Sequence, residues 1–333
     1  MTKLQNVDLS TLLLTKSDVE SLVSMRDAID AVRSVFREHG LGKTKTYPRV
    51  HIPFDQYNGT IGYLEGAVDS LDSSVSKIAS LYFDNPAQGL PRIIALITLN
   101  RIDNGIPIAI MDGNYLTMLR TAAVSAVATD YLAEKGAQTL GIIGAGVQGR
   151  GQLLGIKEVR EIRSVQVCDI SIEAARKFAK DYSSATLRVD IMSSPKKMKN
   201  CDIISCATPS KVPLITHDLV HPGLHINSVG MGAGLGKREV DPDLLRSMKV
   251  VVDDKEVAEA DALGDAFKQG YITKSELYAS LSELVLHEKP GRLGGETTIF
   301  ISSGVAIQDA AVAKIAYEKA VERKVGQRFD FFT

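Results

Sequence analysis

The sequence has few of the residues that mark metal-binding, disulfide-bonded, membrane or nucleic-acid-binding proteins. Its 333 residues include three cysteines and six histidines, with no HExxH motif and no cluster at ligand spacing. We therefore expect buried free thiols and no metal site. No apolar run approaches the roughly 20 residues of a transmembrane helix, and the net charge of −1 gives no long-range attraction to nucleic acid or an anionic membrane. The first residues are polar and lack a signal-peptide core, which predicts a cytoplasmic protein.

A glycine-rich turn between a strand and a helix is the strongest signal that is present. Residues 139–143 form a short apolar strand, three spaced glycines follow, and a helical pattern continues from Gln152. Glycines at this spacing allow a tight turn, close approach of the backbone to a pyrophosphate, and packing of the helix on the strand. The helix N-terminus then offers free N–H groups to phosphates. The turn predicts a dinucleotide site with these cofactor contacts: Gly144, Gly146, Val147, Gln148 and Gly149.

Asp169 indicates which dinucleotide binds. It ends a second apolar strand and lies twenty positions beyond Gly149, where the ribose-binding carboxylate of such a fold is expected. A carboxylate there accepts hydrogen bonds from the ribose hydroxyls and repels a 2′-phosphate. Ile170 and Ser171 follow it, rather than an arginine, so we predict NAD rather than NADP. Asp169 could instead cap the helix that begins near Ser171, which is compatible with the first role.

From residue 139 onward the pattern alternates between strand and helix. Such alternation is typical of a parallel sheet with right-handed crossovers and helices on both faces. We predict an α/β fold with a Rossmann-type doubly wound parallel sheet. The expected strands are 139–143, 164–168, 186–189, 202–206, 225–229, 249–253 and 297–301.

The N-terminal part has a different character and predicts a second, α+β domain. Residues 17–20 (Ser-Asp-Val-Glu) form a capping-box pattern, and another helix signal starts at Ser24 with Gly40 as its expected end. Turn residues then separate short strands of an antiparallel sheet. An alanine-rich helix over 114–132 is expected to connect the domains, and a helix over 305–323 to return to the first. The expected strands of this sheet are 50–52, 60–64, 76–82 and 93–99.

Several motifs along nearly the whole chain resemble the ornithine cyclodeaminase/mu-crystallin family. The most specific is Leu-Arg-Thr-Ala-Ala over 119–123, read together with Gly-Ala-Gly-Val-Gln over 144–148. The others are Asp112-Gly113, Ala-Thr-Pro-Ser over 207–210, Gly-Lys-Arg-Glu over 236–239, and residues 303–309. The resemblance implies a homodimer, a nicotinamide cofactor, and a small amino or imino acid bound between domains. It assigns 1–130 and 305–333 to a substrate-binding and dimerisation domain, and 131–304 to the NAD-binding domain.

The same resemblance implies roles for three basic residues. Arg49 and Arg120 match positions that hold the substrate α-carboxylate, for which a guanidinium offers paired donors. Lys77 matches the lysine beside the reacting centre. Near two arginines and a positively charged nicotinamide ring, its pKa should fall, so that it could exchange protons near neutrality. The alternative for each is a solvated surface charge, which is least expected for Arg120 in its apolar helix.

Further cofactor contacts are expected at the carboxyl edge of the parallel sheet. Thr121 matches the residue that accompanies Arg120 at the cofactor phosphates. Thr208 and Ser210 follow the fourth strand, and Val229 follows the fifth. Thr208, Pro209 and Ser210 could also simply form a turn, which is compatible with either outcome.

The chain departs from the family pattern at two places. Ornithine-cyclodeaminating members have an aspartate where this chain reads Met-Gly-Ala-Gly-Leu over 231–235. Arg92 stands where the family usually has threonine; it would suit a second substrate carboxylate, or it could face solvent. Glu65 could bind a substrate amine.

We therefore predict an NAD-dependent oxidoreductase that acts on the CH–NH or C=N group of a small amino or imino acid. It would be an imino-acid (ketimine) reductase or an enzyme like alanine dehydrogenase. The alternatives are an ornithine cyclodeaminase, which uses NAD within one turnover, and a ligand-binding protein like mu-crystallin. The missing aspartate counts against the first alternative, and the intact basic residues count against the second.

Overall fold

The computed structural model describes residues 8–230 and 238–332, whose strands form two eight-stranded sheets. The strands are β1 Thr11–Leu14, β2 Thr44–Thr46, β3 Val50–Phe54, β4 Gly59–Val68, β5 Ser73–Tyr82, β6 Ile93–Arg101, β7 Pro107–Asp112, β8 Thr139–Ile143, β9 Ser164–Cys168, β10 Arg188–Ile191, β11 Ile203–Cys206, β12 His225–Ser228, β13 Lys249–Val252, β14 Ala279–Ser280, β15 Thr298–Ile301 and β16 Gln327–Phe329. The α-helices are α1 Lys16–Leu22, α2 Met25–Gly40, α3 Gly113–Leu132, α4 Val147–Lys157, α5 Ile172–Tyr182, α6 Lys255–Ala260, α7 Gly264–Lys268, α8 Leu281–Val285 and α9 Ala306–Arg323.

The first sheet has the order β16-β1-β7-β6-β5-β4-β2. β2 pairs with the C-terminal end of β4, and β3 pairs with its N-terminal half. Neighbouring strands of this sheet are antiparallel, except that β1 and β7 are parallel to each other. Because side chains alternate between faces, Leu64, Lys77 and Ile97 share the buried face on which α9 packs. Ile78 and Leu96 lie on the opposite, exposed face. The expected antiparallel sheet is confirmed.

The second sheet has the order β10-β9-β8-β11-β12-β15-β13-β14 and is parallel throughout. The strand order reverses between β8 and β11, as in a doubly wound fold. This confirms the predicted fold class. The bounds of β8 and β9 agree with the prediction, whereas β10 begins two residues later than expected, and β14 was not predicted.

The first two helices begin with capping boxes, one of which differs from the predicted one. Thr15, rather than Ser17, is the N-cap of α1, because its hydroxyl accepts from the Asp18 amide and the Asp18 carboxylate accepts from the Thr15 amide. The predicted assignment over 17–20 is therefore wrong, since these residues lie inside the helix. Ser24 caps α2 as expected, with Asp27 as its partner, and Gly40 is the last helical residue.

Helix α3 is buried between the two sheets because its small side chains permit close packing on several sides. Two glycines of α4 approach α3 closely. A Cβ on Gly151 would lie 2.7 Å from the Met118 sulfur, and a Cβ on Gly155 would lie 2.6 Å from the Ala122 carbonyl oxygen. Arg160 donates to the carbonyls of the last turn of α3 and so satisfies its C-terminus. This packing fixes the first turns of α3, which carry the predicted site residues.

Helix α9 follows β15 and packs on α2, α3 and the buried face of the first sheet. The return of this helix to the N-terminal part is therefore confirmed, while the domain boundaries stay a prediction. All three cysteines are buried and free, as expected. Within the described ranges, none of the helices combines the length and apolar character needed to cross a membrane.

Candidate functional site

The turn after β8 has the geometry of a dinucleotide cradle. Gly144 has a φ of +98°, and a Cβ there would lie 2.6 Å from the Ala207 carbonyl oxygen. A Cβ on Gly149 would overlap the Gly144 carbonyl, so the helix can pack this closely on the turn only with glycine. Gly146, the N-cap of α4, is exposed with nothing within 4 Å of a Cβ. Open space in front of a helix N-terminus fits a pyrophosphate. Val147 and Gln148 occupy the first turn of α4 beside this space.

Asp169 lies beside the same turn, directly after β9. Its carboxylate accepts from the Ala145 amide at 2.7 Å and from the Ser171 amide at 2.8 Å. The N-cap of α5 is Ser171, whose own hydroxyl accepts from Ala174. Asp169 therefore does not cap α5 directly. It stabilises the glycine turn through the Ala145 amide, and its half-buried carboxylate can still be reached by a ribose.

The loops after β11 and β12 meet at a buried carboxylate, Glu239. It accepts from the Thr208 amide at 2.6 Å, the Ser228 hydroxyl at 2.7 Å and the Gly230 amide at 2.9 Å. Val229, between Ser228 and Gly230, is half-buried at this edge. Burial raises the pKa of Glu239 above its ordinary value, and these hydrogen bonds offset only part of the rise.

Ser210 forms a turn in the loop after β11. Its hydroxyl donates to the Val212 carbonyl at 2.7 Å and accepts from the Val212 amide. Ser210 therefore forms a turn, which is compatible with a contact to the cofactor. The Thr208 hydroxyl donates to Glu239 at 3.1 Å, so it too has a local partner.

A cluster of buried charges lies where α3, α9 and β5 meet. Lys77 of β5 contacts both carboxylate oxygens of Asp309, at 2.9 and 2.8 Å. Arg120 of α3 has its Nε 3.3 Å from the same carboxylate and donates from Nη1 to Gln308 at 2.8 Å. The side chains of Lys77 and Asp309 are 2% and 0% exposed, which excludes the solvated-surface alternative for this lysine. The structure thus brings together Lys77 and Arg120, as predicted.

The environment of Lys77 favours its neutral form. Burial lowers its pKa most, Arg120 and Arg49 lower it further, and Asp309 opposes them, so that the pKa falls to about 7. A lysine with this pKa can give or take a proton near neutral pH. The predicted direction of the shift agrees with this result, although desolvation is the largest cause.

Arg49 joins the cluster from the segment before β3. Its Nη2 donates to the Ser303 and Gly304 carbonyls, the second at 3.2 Å, and its Nε lies 3.1 Å from Asp261. Gly304, with a φ of +78°, also contacts the guanidinium of Arg120: a Cβ there would lie 2.7 Å from Nη1. The turn after β15 therefore touches both arginines.

Asp253, at the carboxyl end of β13, fixes that turn. Its carboxylate accepts from the Ser302 hydroxyl at 2.9 Å and from the Gly304 amide at 2.6 Å. It is fully buried, and burial raises its pKa. Because Asp253 and Gly304 lie at the carboxyl ends of β13 and β15, the charge cluster borders the edge of the parallel sheet where ligands bind in such folds.

The remaining predicted residues have less central positions. Thr121 is buried in α3 next to Arg120, and its carbonyl accepts from Gln152. Arg92 is exposed just before β6, outside the buried cluster. Glu65 is exposed and accepts from Ser76 on the face opposite Lys77, so the register of β4 separates it from the cluster. The segment 231–235 lies outside the described residues.

Sequence reasoning gave no role to several buried polar residues of this site. They are Glu239, Asp253, Asp261, Gln308 and Asp309. A signal for Asp309 was available, because it stands among small apolar residues of a helix, as Arg120 does.

The parallel sheet, its glycine turn and the acidic residue after the second strand define a dinucleotide-binding protein of the Rossmann class. A sequence profile described as the ornithine cyclodeaminase/mu-crystallin family matches residues 9–324. The chain belongs to this family.

Three relatives are similar to this chain along nearly their whole length. Alanine dehydrogenase of Archaeoglobus fulgidus is 36% identical over 331 residues, which are 97% of this chain and 99% of that protein. The structure of Thermococcus litoralis Δ1-pyrroline-2-carboxylate reductase, in complex with NADH and L-proline, is 39% identical with a TM-score of 0.91, covering 95% of this chain and 99% of the other. An archaeal alanine dehydrogenase dimer with bound NAD has a TM-score of 0.92 at 36% identity, with 97% and 100% covered.

Proposed function

We propose that this protein is an NAD-dependent oxidoreductase that acts on the CH–NH or C=N group of a small amino or imino acid. The observation that carries the proposal is Lys77, a buried lysine with a pKa of about 7, between two arginines at the cofactor edge of the parallel sheet. Relatives named as an alanine dehydrogenase and a pyrroline-2-carboxylate reductase support the same chemistry. The cofactor is NAD, which supplies hydride exchange at nicotinamide C4 when bound.

Arg49 and Arg120 hold the substrate α-carboxylate in this proposal. The contacts described above use Nε and Nη2 of Arg49, and Nε and Nη1 of Arg120. The remaining terminal nitrogen of each guanidinium is assigned to the substrate. Protein partners orient both guanidiniums before the substrate binds, so the two side chains lose less conformational freedom on binding.

Lys77 moves the proton at the substrate nitrogen. In the reductive direction the C=N carbon gains hydride and the nitrogen gains a proton, which Lys77 donates from its ammonium. In the oxidative direction the neutral amine of Lys77 accepts that proton. Asp309 holds the Nζ in place through both steps, because it contacts Lys77 through both of its oxygens.

The adenosine half of NAD is assigned to Asp169 and the pyrophosphate to the turn over 144–149. Thr121 is assigned to the cofactor phosphates beside Arg120. Thr208, Ser210 and Val229, which follow β11 and β12, would contact the nicotinamide half. The carboxylate of Asp169 favours NAD over NADP because a 2′-phosphate would repel it.

The assay that tests this function follows NADH absorbance. Purified protein is incubated with NADH and ammonia plus pyruvate, glyoxylate or oxaloacetate, and then with preformed cyclic imines. We expect stoichiometric NADH oxidation with at least one substrate. Proline formed from ornithine without net cofactor change would instead identify an ornithine cyclodeaminase. Tight NADH binding without turnover on the whole panel would identify a ligand-binding protein.

We also propose that two copies form a homodimer through the exposed face of the first sheet. Register aligns Val50, Tyr63, Ile78 and Leu96 across β3 to β6, and three of these are 47–61% exposed. A contiguous apolar surface of this kind is typical of an interface. The archaeal dimer supports the proposal. The neighbouring row consists of Ile52, Ile61, Ser80 and Ile94.

The division into a substrate and dimerisation domain (1–130 with 305–333) and an NAD-binding domain (131–304) is part of the same proposal. So is a cytoplasmic location, which the three free, buried cysteines support because such thiols persist in a reducing compartment.

A further inference from the structure

Glu239 has no part in the proposed chemistry, yet four donors converge on its buried carboxylate. Oε1 accepts from the amide and the hydroxyl of Thr208, and Oε2 accepts from the Ser228 hydroxyl and the Gly230 amide. The main chain of Glu239 is fixed as well, since its carbonyl accepts from the amides of Leu214 and Ile215. The carboxylate is therefore held firmly between the loops that follow β11 and β12.

This contact needs a carboxylate at close range. Both oxygens accept, so replacing one with an amide NH₂ would turn it toward two donors and lose their hydrogen bonds. Gly230 comes so near that a Cβ would overlap both the Thr208 carbonyl and the Glu239 carboxylate. The two loops are consequently drawn together at one point.

The joined loops also border the glycine turn. A Cβ on Gly144 would lie 3.1 Å from the Thr208 methyl group, so the loop after β11 forms one wall of the turn. A dinucleotide whose ribose meets Asp169, after β9, must cross the ends of β8 and β11 to reach the buried charge cluster. The loops held by Glu239 lie on this route.

We propose that Glu239 is a positioning residue for the cofactor, whose side chain fixes the loops after β11 and β12 at the separation that the nicotinamide half of NAD requires. It acts through Thr208, Ser228 and Gly230 and does not touch the reacting atoms. The inference rests on the NAD-dependent function proposed above and adds a determinant of cofactor affinity to it.

Asp202 provides a matched control at the opposite edge of the same sheet. Its carboxylate accepts from the Gln138 amide, the Thr139 amide and the Thr139 hydroxyl, at 2.7–2.9 Å, and so ties the starts of β8 and β11 together. Both carboxylates join loops through several hydrogen bonds, but only Glu239 lies at the cofactor edge. All three donors of Asp202 converge on Oδ2, so Asp202→Ala is the variant that removes this contact. A merely structural role of Glu239 would lower the Tm, as Asp202→Ala does, without raising the Kd for NADH.

The test measures NADH binding by fluorescence titration and thermal unfolding of the full chain. We expect Glu239→Gln to raise the Kd for NADH about ten-fold or more, because the amide NH₂ loses two of the hydrogen bonds that hold the loops. At saturating NADH its KM for the imino acid should stay within about two-fold, because Arg49, Lys77 and Arg120 have other partners. Asp202→Ala should lower the Tm and leave the Kd for NADH unchanged.

An unchanged Kd in Glu239→Gln, or an equal rise in Asp202→Ala, would overturn the inference. Should Glu239→Gln fail to fold, Ser228→Ala decides, because it removes one donor and keeps the carboxylate. A rise in Kd of about three-fold supports the proposal, and no rise overturns it. A wild-type chain that does not bind NADH would contradict the proposed function itself, which separates the two failures.

Discussion

Asp309 contacts Lys77 through both carboxylate oxygens, at 2.9 and 2.8 Å, although 232 residues separate them in the sequence. The same carboxylate lies 3.3 Å from Arg120. One buried anion therefore holds a proton-transfer group and a substrate-binding group in a fixed relation. It also opposes the loss of the proton from Lys77, which burial promotes.

Asp309→Asn should shift the pH dependence of the oxidative reaction. Since Asp309 raises the pKa of Lys77, its neutralisation lowers that pKa further below about 7. Lys77 accepts a proton in this direction, so kcat/KM falls as pH drops through the pKa of the lysine. The acid limb of the profile, near pH 7 in the wild type, should therefore move to lower pH.

Measuring kcat/KM for amino-acid oxidation from pH 5 to 9 tests this shift. Asp202→Asn is the control, whose acid limb should stay at the pH of the wild type. An acid limb that stays in place or moves to higher pH in Asp309→Asn would show that Lys77 is not the titrating group.

Lys77→Ala should abolish turnover while NADH affinity stays nearly unchanged. Loss of a general acid–base group costs about 10²- to 10⁴-fold in rate, and Arg120 remains to pair Asp309. Single-turnover kinetics and NADH titration measure the two effects. Lys249→Ala is the control, because Lys249 is also largely buried and ion-paired, with Glu296, at the start of β13. Loss of both turnover and NADH affinity in Lys77→Ala would mean that Lys77 is wrongly assigned.

The sequence predicted elements that rest on local patterns and missed those that rest on distant contacts. Buried apolar runs and turn glycines located β8 and β9, whereas β14 has only two residues and so shows no periodicity. The capping box of α1 was placed two residues late because Ser17 and Thr15 both fit the pattern, and only the backbone decides between them.

The candidate site shows the same difference between what local sequence predicts and what distant contacts determine. Lys77 and Arg120 were predicted from the family resemblance, but their shared partner Asp309 depends on how α9 returns to the first sheet. Asp261, the carboxylate next to Arg49, lies beyond α6 in a loop whose sequence signals nothing about its neighbour. Spacing along the chain does not encode such pairings, because they arise only when separate elements pack together.

Asp169→Asn should weaken the preference for NADH over NADPH. The carboxylate repels a 2′-phosphate and braces the glycine turn through Ala145. Removing its charge should reduce the ratio of NADPH Kd to NADH Kd by about ten-fold, since a single charge–charge contact is worth about that much near a protein surface. Fluorescence titration with both cofactors gives the ratio. Asp190→Asn, at a half-buried position of β10, is the control, and an unchanged ratio in Asp169→Asn would contradict the assignment.

Arg49→Lys should raise the KM for the carboxylate substrate by about ten-fold or more, because an ammonium cannot reproduce the paired donors of a guanidinium. The Kd for NADH should not change. Arg92 is the comparison: its exposed position favours the solvent-facing alternative, so Arg92→Ala should leave KM within about two-fold for mono- and dicarboxylic substrates alike. A selective rise in KM for the dicarboxylic substrate would instead assign Arg92 to a second carboxylate.

Leu96→Asp should convert the proposed dimer into a folded monomer. Leu96 is 55% exposed and lies at the end of the aligned row formed by Val50, Tyr63 and Ile78. A carboxylate at this position stays solvated in the monomer, so the monomer keeps its stability. In the dimer the same carboxylate would be buried without a partner. Light scattering after size-exclusion chromatography gives the mass, and circular dichroism confirms the fold. Val321→Asp, at an exposed apolar position on α9, is the control that should remain dimeric. A dimer that persists in Leu96→Asp while Val321→Asp becomes monomeric would move the interface to α9.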